Sequence, residues 1–137
     1  MRGAAFFLAD LAREISIPLR FEFLQISSYH DSIVPSKEIQ PISAGSKYIK
    51  HRHILIVEDI IDTGQTLKLL TEHLKKLNPK SLKICTLLDK PHCREVALKI
   101  DYLGFEIPNV FVVGYGLDYA QLHRNLPYIA VLENTPQ

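Results

Sequence analysis

Cysteine is scarce, charge is balanced and no apolar run is long. The 137 residues include two cysteines, Cys85 inside an apolar run and Cys93 in a polar one, which suggest neither a disulfide framework nor a metal site. Sixteen Lys and Arg against fifteen Asp and Glu leave a formal net charge of +1. No global field therefore argues for nucleic acid or a membrane surface, and no helix-turn-helix pattern is present. No stretch reaches the roughly 20 apolar residues of a membrane-spanning helix, and the first residues lack a charged-then-apolar leader with a cleavage site. The six His show no ligand spacing and read as structural or exposed. Residues 1–137 are expected to form one domain, 47% hydrophobic, in the cytoplasm.

What is present centres on Ile54-Leu-Ile-Val-Glu-Asp-Ile-Ile-Asp-Thr-Gly-Gln-Thr-Leu-Lys68. Ile54 to Val57 are branched and apolar, the pattern of a strand buried on both faces. Glu58 and Asp59 follow near its carboxyl end. Next come a small polar turn, Asp62-Thr63-Gly64-Gln65-Thr66, and a helical pattern with Leu67, Leu70, Leu74 and Leu77 on one side. Strand, Gly-containing turn and helix amino-terminus make an anion site, because free N–H groups and the positive end of the helix dipole share one concavity. The Thr63 and Thr66 hydroxyls suit a phosphate monoester. Glu58 and Asp59 would repel that phosphate, so they should face hydrogen-bond donors or a cation; a sugar diol fits, with or without Mg²⁺. No Lys follows the Gly, so the Walker pattern is absent. A phosphate-accepting Asp is a rival reading, and a solvated turn with an N-capping Asp or Thr is the blander one.

The wording ILIVEDIIDTGQTL resembles the phosphoribosyl-pyrophosphate signature of the purine phosphoribosyltransferases, in its hypoxanthine-guanine branch. The resemblance implies a type I α/β fold, a twisted parallel sheet flanked by helices, with a small C-terminal lobe and a mobile lid loop. It implies that Glu58 and Asp59 hold the ribose hydroxyls and Mg²⁺. Asp62 becomes the catalytic base near purine N7, and Asp62, Thr63, Gly64, Gln65 and Thr66 become the cradle of the 5-phosphate. LLDKP matches the purine-contacting lysine, here Lys90, whose ammonium favours 6-oxopurines over adenine because adenine presents a donor at that position. Phe111 would stack on the base and the Val112 backbone would read its edge. Asp118 is assigned to the purine site and to Mg²⁺, and Arg124 to pyrophosphate, which suits a guanidinium fork. Ser28 and Tyr29, in SSYHDS, would begin the lid that excludes water. A homo-oligomer, dimer or tetramer, is expected.

In chain order, Ala4, Leu8, Leu11, Ala12 and Ile15 recur at helical spacing as a core-facing stripe that Pro18 ends. Leu19 to Ile26 reads as a strand with Phe21 and Phe23 on one face. The polar region to about Arg52 reads as a long functional loop containing a hairpin at Glu38 to Ile42. Leu82 to Leu88 is the next buried strand; Tyr102 to Pro108 and Phe111 to Tyr119 read as two short strands, and Tyr128 to Leu132 as a last one. Arg2-Gly3 matches a family dipeptide whose backbone contacts pyrophosphate and which ends a strand. Only Met1 precedes it, so the chain is expected to be incomplete at its amino end, with exposed sheet edges, self-association and weak activity. Two other classes stay open. A ligand-binding regulator would bind phosphoribosyl pyrophosphate without turnover, and an acidic-turn phosphatase would release phosphate with no base required.

Overall fold

Strand-forming Ile and Val and a helix that buries every third or fourth Leu set the architecture. In the computed structural model, which describes residues 3–28, 37–41 and 48–133, helix α1 spans Ala5–Glu14 and helix α2 spans Gln65–Lys76. Strands β1 (Leu24–Ser28) and β2 (Lys37–Pro41) form an antiparallel pair. The central sheet is parallel, in the order β3 (His53–Ile61), β4 (Ser81–Asp89), β5 (Tyr102–Glu106). Strands β6 (Val112–Val113) and β7 (Ala130–Val131) make a separate antiparallel pair, the small carboxyl-terminal lobe.

Helix α2 is the crossover from β3 to β4, as parallel pairing requires. Leu67, Leu70 and Leu74 are buried against Ile56, Ile61 and Ile84, with Leu77 packed at the margin. The helix stops where Asn78 turns left-handed, φ 54°. The β3–β4 register pairs Glu58 with Thr86 and Ile61 with Asp89. The residues following each strand, Asp62 and Lys90, therefore emerge together at the carboxyl edge of the sheet, where ligands of open α/β sheets sit.

Several boundaries differ from the sequence pattern. Strand β3 is not buried on both faces: Ile56 is packed on α2, while Leu55 on the opposite face stays 39% exposed. Helix α1 has no fully buried residue, but its stripe is the covered side: Leu8, Leu11, Ala12 and Ile15 are half-buried, and Gly3 and Ala4, just before the helix, are enclosed. The helix also ends at Glu14, before Pro18, because Ile15 is already extended. Leu19 to Phe23 lie outside the ladder, and β1 starts at Leu24. Phe21 and Phe23 are exposed. The segment around Glu38 is not a hairpin by itself but the second arm of one, paired with β1. Beyond Val113 the chain leaves the sheet through left-handed residues at Gly114, Tyr115 and Gly116, which end the strand six residues early. Likewise only Ala130–Val131 of the final run is paired.

Candidate active site

The end of β3 carries the two acids into different surroundings from those of an ordinary surface turn. Glu58 is buried, and its Oε2 has no hydrogen-bond partner. Burial first, and the neighbouring Asp59 charge second, push its carboxyl up to about 8. Burial also raises the Asp59 carboxyl, opposed by the Ile60 amide, which donates to Asp59 Oδ1 at 3.0 Å. Glu58 Oε2 thus lacks a donor, and a buried acceptor without a donor is costly. A ligand bringing hydroxyl groups or a cation would relieve it.

The turn after β3 supplies the opposite polarity. Gly64 is the N-cap of α2 at φ 80°, a conformation that favours glycine. No side chain caps the helix; Thr63 Oγ1 makes only a 3.4 Å contact with the Gln65 amide. The capped-turn reading therefore fails, and the helix amino-terminus keeps its anion-binding capacity. Glu58, Asp62, Thr63, Gly64 and Thr66 line, with Ile60, Ile61 and Leu67, one cavity of about 210 Å³. Glu58 and the turn thus share a single space, while the Asp59 carboxylate lies outside its lining, against Gly3. Gln65 lies beside it, its side chain held by Glu95.

At the rim, Lys90 is buried and points its Nζ at Asp62 Oδ2, 4.0 Å away. The Lys90 amide donates to Ile61 O at 2.9 Å, which locks the two strand ends together. An inert, exposed lysine is therefore the wrong description. Cys93 sits near the same carboxylate, its thiol raised by burial and by Asp62.

The carboxyl-terminal lobe brings the remaining residues. Phe111 is 43% exposed, which removes the core reading, and Tyr119 meets its ring edge-on at 5.7 Å. Val112 is buried and paired with Val131. Arg124 is not on a surface helix. Its Nη1 donates to Gly116 O at 2.7 Å and its Nη2 lies 2.7 Å from Asp118 Oδ1. Asp118 Oδ2 in turn accepts from the Gln121 amide at 2.9 Å. Gly3 is buried against the Asp59 carboxylate, and a side chain at Gly116 would collide with the Gly3 carbonyl. Arg2 and Tyr29 lie outside the described residues. Ser28 closes β1. Among the described residues no group of three His, Cys, Asp or Glu could by itself hold a metal ion.

Two contributors carried no sequence signal. Arg94 pairs with Asp89, and the Glu95 amide donates to Thr63 O at 3.0 Å. Both stand some 30 positions beyond the turn they touch, after a 3₁₀ turn at Pro91–Cys93, where neither periodicity nor a motif marks them.

Comparison with known proteins bears on this arrangement. Residues 1–120 match the family model described as "Phosphoribosyl transferase domain". The hypoxanthine phosphoribosyltransferase of Buchnera aphidicola is 50% identical over 129 residues, covering 94% of this chain and 73% of that protein. The hypoxanthine-guanine phosphoribosyltransferase of Bacillus subtilis is 50% identical over 133 residues, 97% of this chain and 74% of its own. A crystal structure of the Staphylococcus aureus hypoxanthine phosphoribosyltransferase superposes with a TM-score of 0.86 at 45% identity, covering 97% of this chain and 72% of that one.

Proposed function

The chain belongs to the phosphoribosyltransferase family, and on that premise we propose that it is a hypoxanthine-guanine phosphoribosyltransferase of purine salvage. It transfers phosphoribosyl from phosphoribosyl pyrophosphate to hypoxanthine or guanine, giving IMP or GMP and pyrophosphate. The observation that carries this reading is the shared cavity, in which a buried acid with an unpaired oxygen stands beside an uncapped helix amino-terminus. The substrate's diol and 5-phosphate match those two polarities.

In the reaction, purine N9 bonds to the ribose C1 as the C1–O bond to pyrophosphate breaks, and the N7 proton passes to Asp62. Half-exposed Asp62 can meet a base from solvent. Lys90 donates to the 6-oxo group, Phe111 stacks on the ring and the Val112 backbone reads its edge. Glu58 and Asp59 hold the ribose hydroxyls, while Thr63, Gly64, Gln65 and Thr66 hold the 5-phosphate. Arg124, with the backbone at Arg2 and Gly3, receives pyrophosphate, where charge grows in the transition state. A lid beginning at Ser28 and Tyr29 closes over the sugar.

Mg²⁺ is part of the proposal. The carboxylates available suit an ion that keeps waters and substrate oxygens and takes only one or two protein ligands. Asp118 on one side and Glu58 with Asp59 on the other would hold it, and it would neutralise charge on the leaving pyrophosphate. Exposed Phe6, Leu55 and Phe105 support a homo-oligomer, and the compartment proposed is the cytoplasm. No helix among the described residues is long and apolar enough to cross a membrane.

The test is nucleotide formation, followed chromatographically with each base, with and without phosphoribosyl pyrophosphate and Mg²⁺. IMP and GMP are expected only in the complete mixtures. Adenine consumed faster than both oxopurines would overturn the Lys90 role. Tight binding of phosphoribosyl pyrophosphate without turnover would identify a regulator, and phosphate release from a monoester without base a phosphatase.

A further inference from the structure

Arg94 lies under the phosphate turn without belonging to it. Its Nη2 is bound to Asp89, the buried last residue of β4. Its Nη1 is buried with no hydrogen-bond partner. A Cβ placed on Gly64 would lie 2.7 Å from that Nη1, 3.0 Å from Arg94 Cδ and 3.1 Å from Val96 Cγ2. The guanidinium therefore occupies the space a side chain at residue 64 would fill. On either side the same segment grips the turn: the Glu95 amide bonds Thr63 O, and Glu95 accepts from the Gln65 side chain.

We infer that Arg94 is the positioning residue of the phosphate turn, a wedge anchored on Asp89 that holds Gly64 in its left-handed conformation with the helix amides open to the 5-phosphate. The inference rests on the proposed transferase reading and deepens it. Three features support it together. An Asp89–Arg94 pair this enclosed costs desolvation, so stability alone is a weak reason for it. The wedge touches the one residue of the turn whose conformation is special. The planar fork is needed as well, since one end must hold Asp89 while the other fills the space below Gly64. A lysine ammonium is a single point and cannot do both.

The test measures binding and turnover in the full chain. Arg94→Ala and Arg94→Lys should both raise Kd and KM for phosphoribosyl pyrophosphate by ~10–10²-fold, the scale of a misplaced binding element. KM for hypoxanthine should stay within about twofold of wild type, a split that general loosening of the fold would not produce. Gly64→Ala should be impaired alone, and Arg94→Ala/Gly64→Ala should be less impaired than the product of the two single effects, because removing the wedge makes room for the methyl group. Equal binding by wild type and Arg94→Ala overturns the inference and leaves the transferase reading intact. Restoration by Lys also overturns it, since charge alone would then suffice. If the alanine variant melts early, the Lys variant and the cycle at Gly64 still decide, and multiplicative effects count against the wedge. A wild-type chain that does not bind phosphoribosyl pyrophosphate overturns the function and the inference together.

Discussion

Lys90 Nζ and Asp62 Oδ2 stand 4.0 Å apart at the carboxyl edge of the sheet, the lysine buried and the carboxylate half in solvent. The Ile61–Asp89 register puts them there. In the proposed reaction they address two edges of one purine, the lysine its 6-oxo group and the aspartate its N7. The pair therefore spaces the base before any substrate arrives.

Asp62→Asn keeps shape and removes the proton acceptor. Turnover is expected to fall by ~10²–10⁴-fold, the usual worth of general base catalysis, with KM for phosphoribosyl pyrophosphate nearly unchanged. Steady-state kinetics with hypoxanthine decides it. A rise in KM at constant turnover would show that Asp62 binds and does not accept the proton.

Lys90→Met fills the same volume without a donor. Loss of a hydrogen bond from a charged group is worth about 1.5–3 kcal/mol, so kcat/KM for hypoxanthine and guanine should drop by roughly 10–10²-fold. The preference for oxopurines over adenine should shrink with it. Competition assays with mixed bases measure the ratio directly, and an unchanged preference would remove Lys90 from base selection.

Glu58 makes stability depend on pH. Its folded carboxyl is pushed up to about 8 from an unfolded value of 4.5. The unfolded chain thus releases this proton first as pH rises. Its stabilising contribution is full below about 4.5 and is lost progressively as pH climbs through about 8. Thermal melts of the ligand-free protein should show Tm declining over that window. In Glu58→Gln, which cannot ionise, the decline should be visibly shallower; parallel curves would refute the burial argument.

Leu70 is 1% exposed at the centre of the α2 face. Leu70→Ala leaves a cavity there and should destabilise by about 2–5 kcal/mol, read from the midpoint of urea unfolding. A loss below about 0.5 kcal/mol, typical of surface changes, would mean that α2 is not packed on the sheet.

The part of the fold built by local rules was readable in the residues. Strand β3, the turn at Gly64 and helix α2 follow one another without a gap, and each has its own period, so acids, phosphate turn and helix face could be placed together. Lys90 could be placed at the same edge because the β4 run ends there. What escaped was set by long-range packing. The exposure of Leu55 and Phe21, and the incomplete burial along α1, depend on which surfaces lie opposite, which an apolar stripe does not specify. Arg94 was unreadable for a related reason. Its partner Asp89 is near in sequence, but its effect falls on Gly64, and only the crossover fold brings those two together. The Asp118–Arg124 pair needed left-handed turns at Tyr115, Ala120, Gln121 and His123, most of them at residue types that do not advertise such a conformation.

Gly116 approaches the Gly3 carbonyl so closely that it admits no side chain, while a side chain at Gly3 would run into the Asp59 carboxylate. Gly3, the Asp59 side chain and the loop carrying Asp118 and Arg124 thereby meet at one seam. Amide hydrogens at Gly114, Gly116 and Leu117, all bonded within that loop, should exchange as one cooperative unit together with those at the start of α1. The seam is thus built from absent side chains. Breathing at this seam would loosen the support of Asp59 and of the loop carrying Asp118 and Arg124 in a single event.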